Sequence, residues 1–290
     1  MLPFDLDALV ARALAEDVGS GDVTTRWTVP PGMAGVAEIR AKAPVVVAGL
    51  GPARRVFEAV DPGLDLEIEV ADGAARAPGE RVLTVRGSLA SILTAERTAL
   101  NFLGRLSGVA TLTRRFVEAV GGTSARVIDT RKTTPGWREL EKAAVRAGGG
   151  TNHRMGLHDM VLVKENHIAA AGGVREAIAG VRANNTRGLE VEIEVRSLDE
   201  LEVALDLGVE RVLLDNMSPD LLREAVQRAR ARSASPPLLE ASGNVDLDTI
   251  ADVAASGVDL ISVGALTHSA PVADLSLRVV EGGGVGSPSA

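Results

Sequence analysis

The chain has 290 residues, 46% of them apolar and 24% charged, with a formal net charge of -8 and no Cys. That length suits one large domain or two smaller ones, and the acidic balance argues against nucleic acid as the main partner. The missing Cys excludes disulfides and thiolate metal sites, and no run approaches the roughly 18 apolar residues that a membrane span requires.

Aromatic residues make up 2% of the chain and Tyr is absent, so the core must be built from Val, Leu, Ile and Ala. Such a core suits buried parallel strands flanked by Ala-rich helices. The start, Met-Leu-Pro-Phe-Asp-Leu-Asp, has no basic region followed by an apolar run, so no secretory signal is expected. Together with the missing Cys this fits a cytoplasmic protein.

Residues 5–17 carry Leu6, Leu9, Val10, Ala13 and Leu14 at helical spacing. A Gly-rich turn (Gly19, Gly21) and Asp22-Val-Thr-Thr follow. Strands are expected at Val36–Ala41, Val45–Ala48, Leu64–Ala71 and Arg81–Arg86, with a helical segment at Pro52–Val60 between them. Leu66-Glu-Ile-Glu-Val alternates as a strand with one wet face does. These pieces predict a small α+β layer with a mixed or antiparallel sheet. A long helical stretch, Leu89–Val120, comes next, with Gly104 and Gly108 as expected breaks.

From Arg126 onward short apolar strands alternate with amphipathic helices. The strands are Arg126–Ile128, Met160–Val163, Leu189–Val195, Arg211–Leu214, Leu238–Glu240 and Leu260–Val263. Helices fit Trp137–Ala147, Val174–Ala183, Leu198–Leu207, Pro219–Arg232 and Leu247–Ser256. A βα repeat gives a parallel sheet with right-handed crossovers. Polar or small residues (Arg131, Lys164, Glu194, Asp215, Ser242, Gly264) follow strand after strand, which favours a barrel with one polar mouth over an open sheet. With six strands the barrel is expected to be incomplete. The Gly/Ser-rich tail, Glu281–Ala290, is expected to be disordered.

Positive charge concentrates against the acidic background. From Arg126 to His167 there are eight Arg/Lys against five Asp/Glu, and three of the four histidines (His153, His158, His167) lie there. A cationic pocket in an acidic protein points to a small, multiply charged anion as ligand. Arg131 and Lys132 follow a strand, offering a planar fork and a compact point charge, although such a pair can also be plain surface charge. His153 and Arg154 lie in a Gly-flanked loop, and the histidine spacing does not fit a zinc site. Lys164 ends a strand and can clamp an anion, form a Schiff base or pair with an acid. Glu194 and Asp215 end successive strands and can hold Mg2+ or balance the lysines. Ser242-Gly243 and Ser262-Val263-Gly264, the latter followed by His268, are small-residue turns after the last two strands, a place where barrels bind phosphate. Arg97, within Glu96-Arg-Thr-Ala-Leu-Asn, reads as surface charge.

Taken together, the blocks resemble the quinolinate phosphoribosyltransferase family. They are Glu16-Asp-Val-Gly-Ser-Gly-Asp-Val-Thr-Thr, Glu96-Arg-Thr-Ala-Leu-Asn-Phe, Asp129-Thr-Arg-Lys-Thr-Thr-Pro-Gly, Thr151-Asn-His-Arg, Leu162-Val-Lys-Glu-Asn-His, Glu192-Ile-Glu-Val, Leu213-Leu-Asp-Asn-Met, Glu240-Ala-Ser-Gly-Asn and Ser262-Val-Gly-Ala-Leu-Thr-His-Ser. The resemblance covers nearly the whole chain.

It implies an α/β fold: an incomplete (β/α) barrel over residues 109–270 and a smaller N-terminal α+β sandwich domain over residues 1–108, joined by residues 271–290. It also implies that phosphoribosyl is transferred from phosphoribosyl pyrophosphate to quinolinate, with loss of CO2, in NAD biosynthesis. By the same resemblance Thr130, Arg131, His153, Arg154 and Lys164 hold quinolinate. Lys132, Glu194 and Asp215 hold phosphoribosyl pyrophosphate with Mg2+ on the two carboxylates, directly or through water. Of Glu192 and Glu194, Glu194 is taken as the acting carboxylate. Ser242, Gly243, Ser262, Val263, Gly264 and His268 match the phosphate site. Arg97 matches an arginine that reaches the partner's site, so a homodimer is the smallest unit expected, with a higher oligomer open. The competing readings are a same-scaffold enzyme with another pyridine-like acceptor, a Lys164 Schiff-base aldolase and a non-catalytic sensor of phosphorylated sugars.

Overall fold

A computed structural model describes residues 4–232 and 235–283. The chain divides into two compact units. One comprises residues 1–112, 139–148 and 270–290, and the other residues 113–138 and 149–269.

The first unit opens with α1 (Leu6–Val18), whose N-cap Asp5 accepts from Ala8 N at 3.0 Å. Helix α2 (Val23–Thr28) follows. Here the Gly-rich turn leads into a helix, because Asp22 accepts from Thr25 N at 2.9 Å and satisfies an otherwise orphaned donor. Then come β1 (Ala34–Ala41), β2 (Val45–Val46), α3 (Leu50–Val60), β3 (Asp65–Ile68), β4 (Ala75–Arg76) and β5 (Arg81–Ser88). The expected strand over residues 64–71 is shortened to β3, and β4 is a short strand that no sequence pattern marks.

Helix α4 (Leu89–Ala119) is one unbroken helix. Gly104 and Gly108 do not break it; they let another segment approach. A Cβ on Gly108 would lie 1.9 Å from the Pro271 carbonyl oxygen, and one on Gly104 would lie 3.0 Å from a Val272 methyl. The Ala273 N–H donates to the Gly104 carbonyl at 2.9 Å.

The second series begins with β6 (Arg126–Ile128). Helix α5 (Arg138–Ala147) forms where a barrel helix was expected, but residues 139–148 group with the first unit. After it come β7 (Val161–Val163), α6 (Glu165–Ala171), α7 (Val174–Asn184), β8 (Val191–Val195), α8 (Leu198–Leu207), β9 (Arg211–Asp215), α9 (Pro219–Arg232) and β10 (Leu238–Ser242). The series ends with α10 (Ile250–Ala255), β11 (Leu260–Ser262) and α11 (Ala265–His268). Helix α10 starts later than the periodicity predicts, because Asp246 accepts from Thr249 N at 2.9 Å and holds a turn ahead of it. The last strand is β12 (Leu275–Gly283). Part of the expected disordered tail, residues 281–283, is therefore strand, and residues 284–290 lie outside the described residues.

The first unit's main sheet has the order β12-β1-β5-β3, and each pairing is antiparallel. In the second unit the order is β6-β11-β10-β9-β8-β7, all parallel. Successive strands from β7 to β11 are neighbours, and β11 returns to pair with β6. The seam between β6 and β7 has no ladder among the described residues; an isolated bridge, Ile128 to Thr151, sits beside it. This is the order of a (β/α) barrel left open at one seam, as expected. Strand β8 is buried along its whole length, and small or apolar residues of the helices face inward, among them Ala177, Leu201, Ala204, Leu222 and Ala225. Covering both faces of a parallel sheet in this way is what its near-continuous apolar strands require.

Candidate active site

Parallel strands carry their C-terminal ends to one side of a barrel, and side chains just beyond those ends meet there. Beyond β6, the fully buried Asp129 sets the geometry. Its carboxylate accepts from His153 N at 2.9 Å and from Asn152 Nδ2 at 2.5 Å, and its own N–H donates to the Thr151 carbonyl at 3.1 Å. The loop after β6 and the loop carrying His153 and Arg154 are thereby tied together. Arg138 adds a second tie, donating to Thr133 Oγ1 at 2.9 Å, to the Arg131 carbonyl at 3.2 Å and to the Met155 carbonyl at 3.2 Å. Gly136 takes φ 81°, which suits the Pro-Gly turn.

A pocket of about 300 Å³ results. Thr130, Arg131, Lys132, His153 and Arg154 line one side, Leu162 and Lys164 of the β7 end another, and Leu213, Glu240, Ser242 and Ser262 the remainder. Leu162 and Leu213 pack with Met160 into a buried apolar cluster. The pocket thus offers an apolar wall beside four cationic side chains.

The charges are not balanced one for one. Lys164 Nζ pairs with Glu194 Oε2 at 3.0 Å. The buried Nε of Arg131 has no hydrogen-bond partner. Burial, and then the neighbouring Arg131, pulls the Arg154 guanidinium below its ordinary pKa. An orphaned guanidinium donor beside a crowded second guanidinium marks a site built for an anion.

Below this layer lies a second one. Along β8, Glu192 and Glu194 share the inward face because side chains alternate. Glu192 is fully buried and Glu194 sits nearer the mouth at 8% exposure. Arg211 Nε lies 3.1 Å from Glu192 Oε1, and the same guanidinium donates to Glu240 Oε2. His153 Nε2 is 3.0 Å from Glu192 Oε2 and 3.6 Å from Glu240 Oε2. Burial pushes the Glu240 carboxyl up to about 7, Glu192 adds to that rise, and Arg211 opposes it. Burial raises Glu192 as well. His153, Glu192 and Glu240 have the composition of a metal triad. However, Arg211 already supplies the positive charge between the two carboxylates, so the cluster reads as an ion network.

At the mouth, Asp215 lies 3.5 Å from Arg196 Nε and accepts from Asn216 Nδ2 at 3.0 Å. Glu194 and Asp215 end adjacent strands and present hard oxygen donors, a partial shell of the kind Mg2+ accepts while keeping water. Both are already ion-paired, Glu194 with Lys164 and Asp215 with Arg196.

Family models for the quinolinate phosphoribosyl transferase N-terminal and C-terminal domains match residues 22–107 and 109–278. The chain belongs to the quinolinate phosphoribosyltransferase family. It is 45% identical over 271 residues to the nicotinate-nucleotide pyrophosphorylase (carboxylating) of Mycobacterium leprae, covering 92% of this chain and 95% of the relative. It is 42% identical over 278 residues to a probable nicotinate-nucleotide pyrophosphorylase (carboxylating) of Synechocystis, covering 95% and 92%. The solved nicotinate-nucleotide pyrophosphorylase of Francisella tularensis superposes with a TM-score of 0.90 at 38% identity, covering 96% of this chain and 98% of that one.

Within this family member, Thr130, Arg131, Lys132, His153, Arg154, Lys164, Ser242 and Ser262 gather in one pocket. Glu194 touches it through Lys164. Gly264 packs against it: a Cβ there would lie 3.1 Å from both Lys132 Cδ and His268 Nε2. Gly243 takes φ 106°, and a Cβ there would lie 2.2 Å from Asn216 Oδ1, so only Gly fits that turn. Asp215 faces Arg196 at the strand end and does not line the pocket. Val263 is buried and donates its N–H to the Ile128 carbonyl at 3.0 Å, which uses that donor within the barrel. Arg97 is exposed on α4 in the first unit. His153 turns its Nε2 toward the carboxylates below the pocket, so its part differs from that of the neighbouring cations. Sequence reasoning gave no role to Leu162, Leu213, Glu240 or Arg211. The inward Glu of β10 was visible in the Glu240-Ala-Ser motif, but nothing in the sequence linked it to Arg211.

Proposed function

We propose that this pocket transfers the phosphoribosyl group of phosphoribosyl pyrophosphate to quinolinate and releases CO2, in NAD biosynthesis. The observation that carries the reading is the convergence of Arg131, Arg154 and Lys164 around the apolar Leu162 and Leu213. A flat heteroaromatic ring bearing two carboxylates matches that combination of cations and apolar wall. The unpartnered Arg131 Nε supports an acceptor docking there.

The pyridine nitrogen forms a bond to the anomeric carbon of ribose as the bond to pyrophosphate breaks. Positive charge develops on the sugar ring and negative charge on the departing group. Lys132, exposed beside the turn at Gly264, is placed to offset charge on the pyrophosphate. Glu194 and Asp215 would hold ribose hydroxyls and Mg2+, which would supply Lewis-acid stabilisation of the leaving group. Once the ring nitrogen is quaternary it withdraws electrons from the adjacent carbon. The bond to that carboxylate breaks, its electron pair stays on the ring carbon, CO2 departs and a proton from solvent completes the nicotinate ring. Positioning and electrostatics supply the rate, and no covalent intermediate on the protein is required.

Lys164 is half exposed and ion-paired with Glu194, whereas amine nucleophiles are activated by desolvation, so charge recognition is the favoured role. The family reading also supports a homodimer in which Arg97 enters the partner's site, and a cytoplasmic location. Among the described residues, no helix is long and apolar enough to cross a membrane.

The test is product analysis with quinolinate, phosphoribosyl pyrophosphate and Mg2+, with nicotinate as the control acceptor. The expected products are nicotinate mononucleotide, pyrophosphate and CO2 in equal amounts. Turnover of nicotinate in preference to quinolinate, or no CO2, would overturn the proposal.

A further inference from the structure

The layer beneath the pocket contains charged groups that the transfer itself does not use. His153 is held on every side. Its N–H donates to Asp129 Oδ1 at 2.9 Å, its Nδ1 accepts from the Arg154 N–H at 2.7 Å, and its Nε2 faces Glu192 Oε2 at 3.0 Å. A ring nitrogen that accepts carries no proton, so the ring proton of His153 resides on Nε2 and the imidazole is neutral.

Two carboxylates facing an imidazole would on their own favour the imidazolium. Protonation at Nδ1 would set two donors, Nδ1–H and the Arg154 N–H, against each other in a side chain that is only 7% exposed. Arg211 removes that tendency by placing its guanidinium between Glu192 and Glu240. The backbone supports the arrangement, because Glu192 of β8 and Arg211 of β9 are direct cross-strand partners.

We propose that Glu192 and Glu240, bridged by Arg211, are positioning residues: they lock His153 in its Nε2–H form and so fix the turn that presents Arg154 to the substrate. Arg154 is oriented through its amide by the His153 ring and through its guanidinium by the Met160 carbonyl at 3.1 Å. Loss of the first restraint lets the turn rotate and moves the guanidinium out of register with a carboxylate. The inference rests on the pocket binding quinolinate.

The experiment has two arms. In the first, 15N-histidine spectra of the wild-type protein are recorded across neutral pH, and the chain's four histidines are assigned by substituting His158, His167 and His268 with Gln one at a time. His153 is expected to show a protonated Nε2 and an unprotonated Nδ1 throughout. An imidazolium or an Nδ1–H form overturns the proposal.

In the second arm, Glu192→Met, which removes the acceptor, is compared with Glu192→Gln, which retains one. The Met variant should raise KM for quinolinate by roughly tenfold, the size of one charge-assisted hydrogen bond. KM for phosphoribosyl pyrophosphate and kcat should stay within about threefold, and the Gln variant should recover most of the loss. A role in stability alone would lower the folded fraction and leave KM unchanged, which would overturn the proposal. If Glu192→Met does not fold, the wild-type spectrum still decides. Absence of quinolinate turnover in the wild type would instead count against the functional reading, and the spectrum would still decide the His153 tautomer independently.

Discussion

Removing Lys164 tests the pocket's electrostatics most directly. Its ammonium lies 3.0 Å from Glu194, and its side chain is 49% exposed against 9% for its partner. Two unit charges about 4 Å apart attract by about 4 kcal/mol at an effective dielectric near 20. Exposed pairs contribute only up to about 1 kcal/mol. A half-exposed lysine gripping a substrate carboxylate falls between these limits, at about 2 kcal/mol or roughly 30-fold in affinity. Lys164→Ala also strips the counter-ion from Glu194 and leaves a carboxylate facing a dianion. The double variant Lys164→Ala/Glu194→Gln separates the two effects. Calorimetric titration with quinolinate should show roughly 30-fold weaker binding in the single variant and no more than about threefold recovery in the double. Less than threefold loss in the single variant, or full recovery in the double, would mean that Lys164 only neutralises Glu194, and the clamp argument would fail.

Other expectations can be tested on the same preparation. Gly108→Ala places a Cβ 1.9 Å from the Pro271 carbonyl oxygen, so α4 and that segment must part at a cost of about 1–3 kcal/mol, read as a lowered Tm. Gly51→Ala, in α3 with nothing near its Cβ, should instead gain about 0.5–1 kcal/mol, and equal Tm changes for both would refute the packing account. Glu240 has a raised folded pKa of about 7, so the folded state binds its proton more tightly and stability should fall as pH rises from the ordinary carboxyl range through 7. Glu240→Gln should flatten that segment of the denaturation profile; an unchanged slope would remove Glu240 as its cause. If Arg97 serves the partner's site, mixing inactive Arg97→Ala and Lys132→Ala chains should restore roughly a quarter of wild-type activity through one intact site per mixed dimer. Recovery of no activity after subunit exchange would refute the sharing.

The strand–helix alternation of the second unit was legible because buried parallel strands are short, apolar and followed by polar residues. Arg131, Lys132, Arg154 and Lys164 stood out because each is a cation placed where a strand ends or glycines cluster. The floor of the pocket was hidden for the opposite reason. Arg211 opens β9 and looks like surface charge, and only the strand register brings it to Glu192. Glu-Ile-Glu in β8 shows that both carboxylates share a face, but not that one is sealed while the other meets Lys164. Gly104 and Gly108 look like breaks in the sequence because their meaning lies in Pro271–Ala273, distant along the chain and adjacent in space. Helix α5 was placed in the right stretch, but periodicity reports an apolar stripe and not what the stripe faces, and residues 139–148 group with the first unit.

Strand β12 has a consequence for biosynthesis. It lies on the outer side of β1, pairing Ala34 with Gly283 and Ala41 with Leu275. During translation β1, β5 and β3 leave the ribosome long before β12 exists, so β1 waits with a row of unpaired amides and carbonyls exposed. The nascent sheet stays open along that edge until Leu275–Gly283 has been synthesised. Its closure is therefore a late, high-contact-order event, and a chain stalled before Leu275 would present a bare strand to any neighbour on the same polysome.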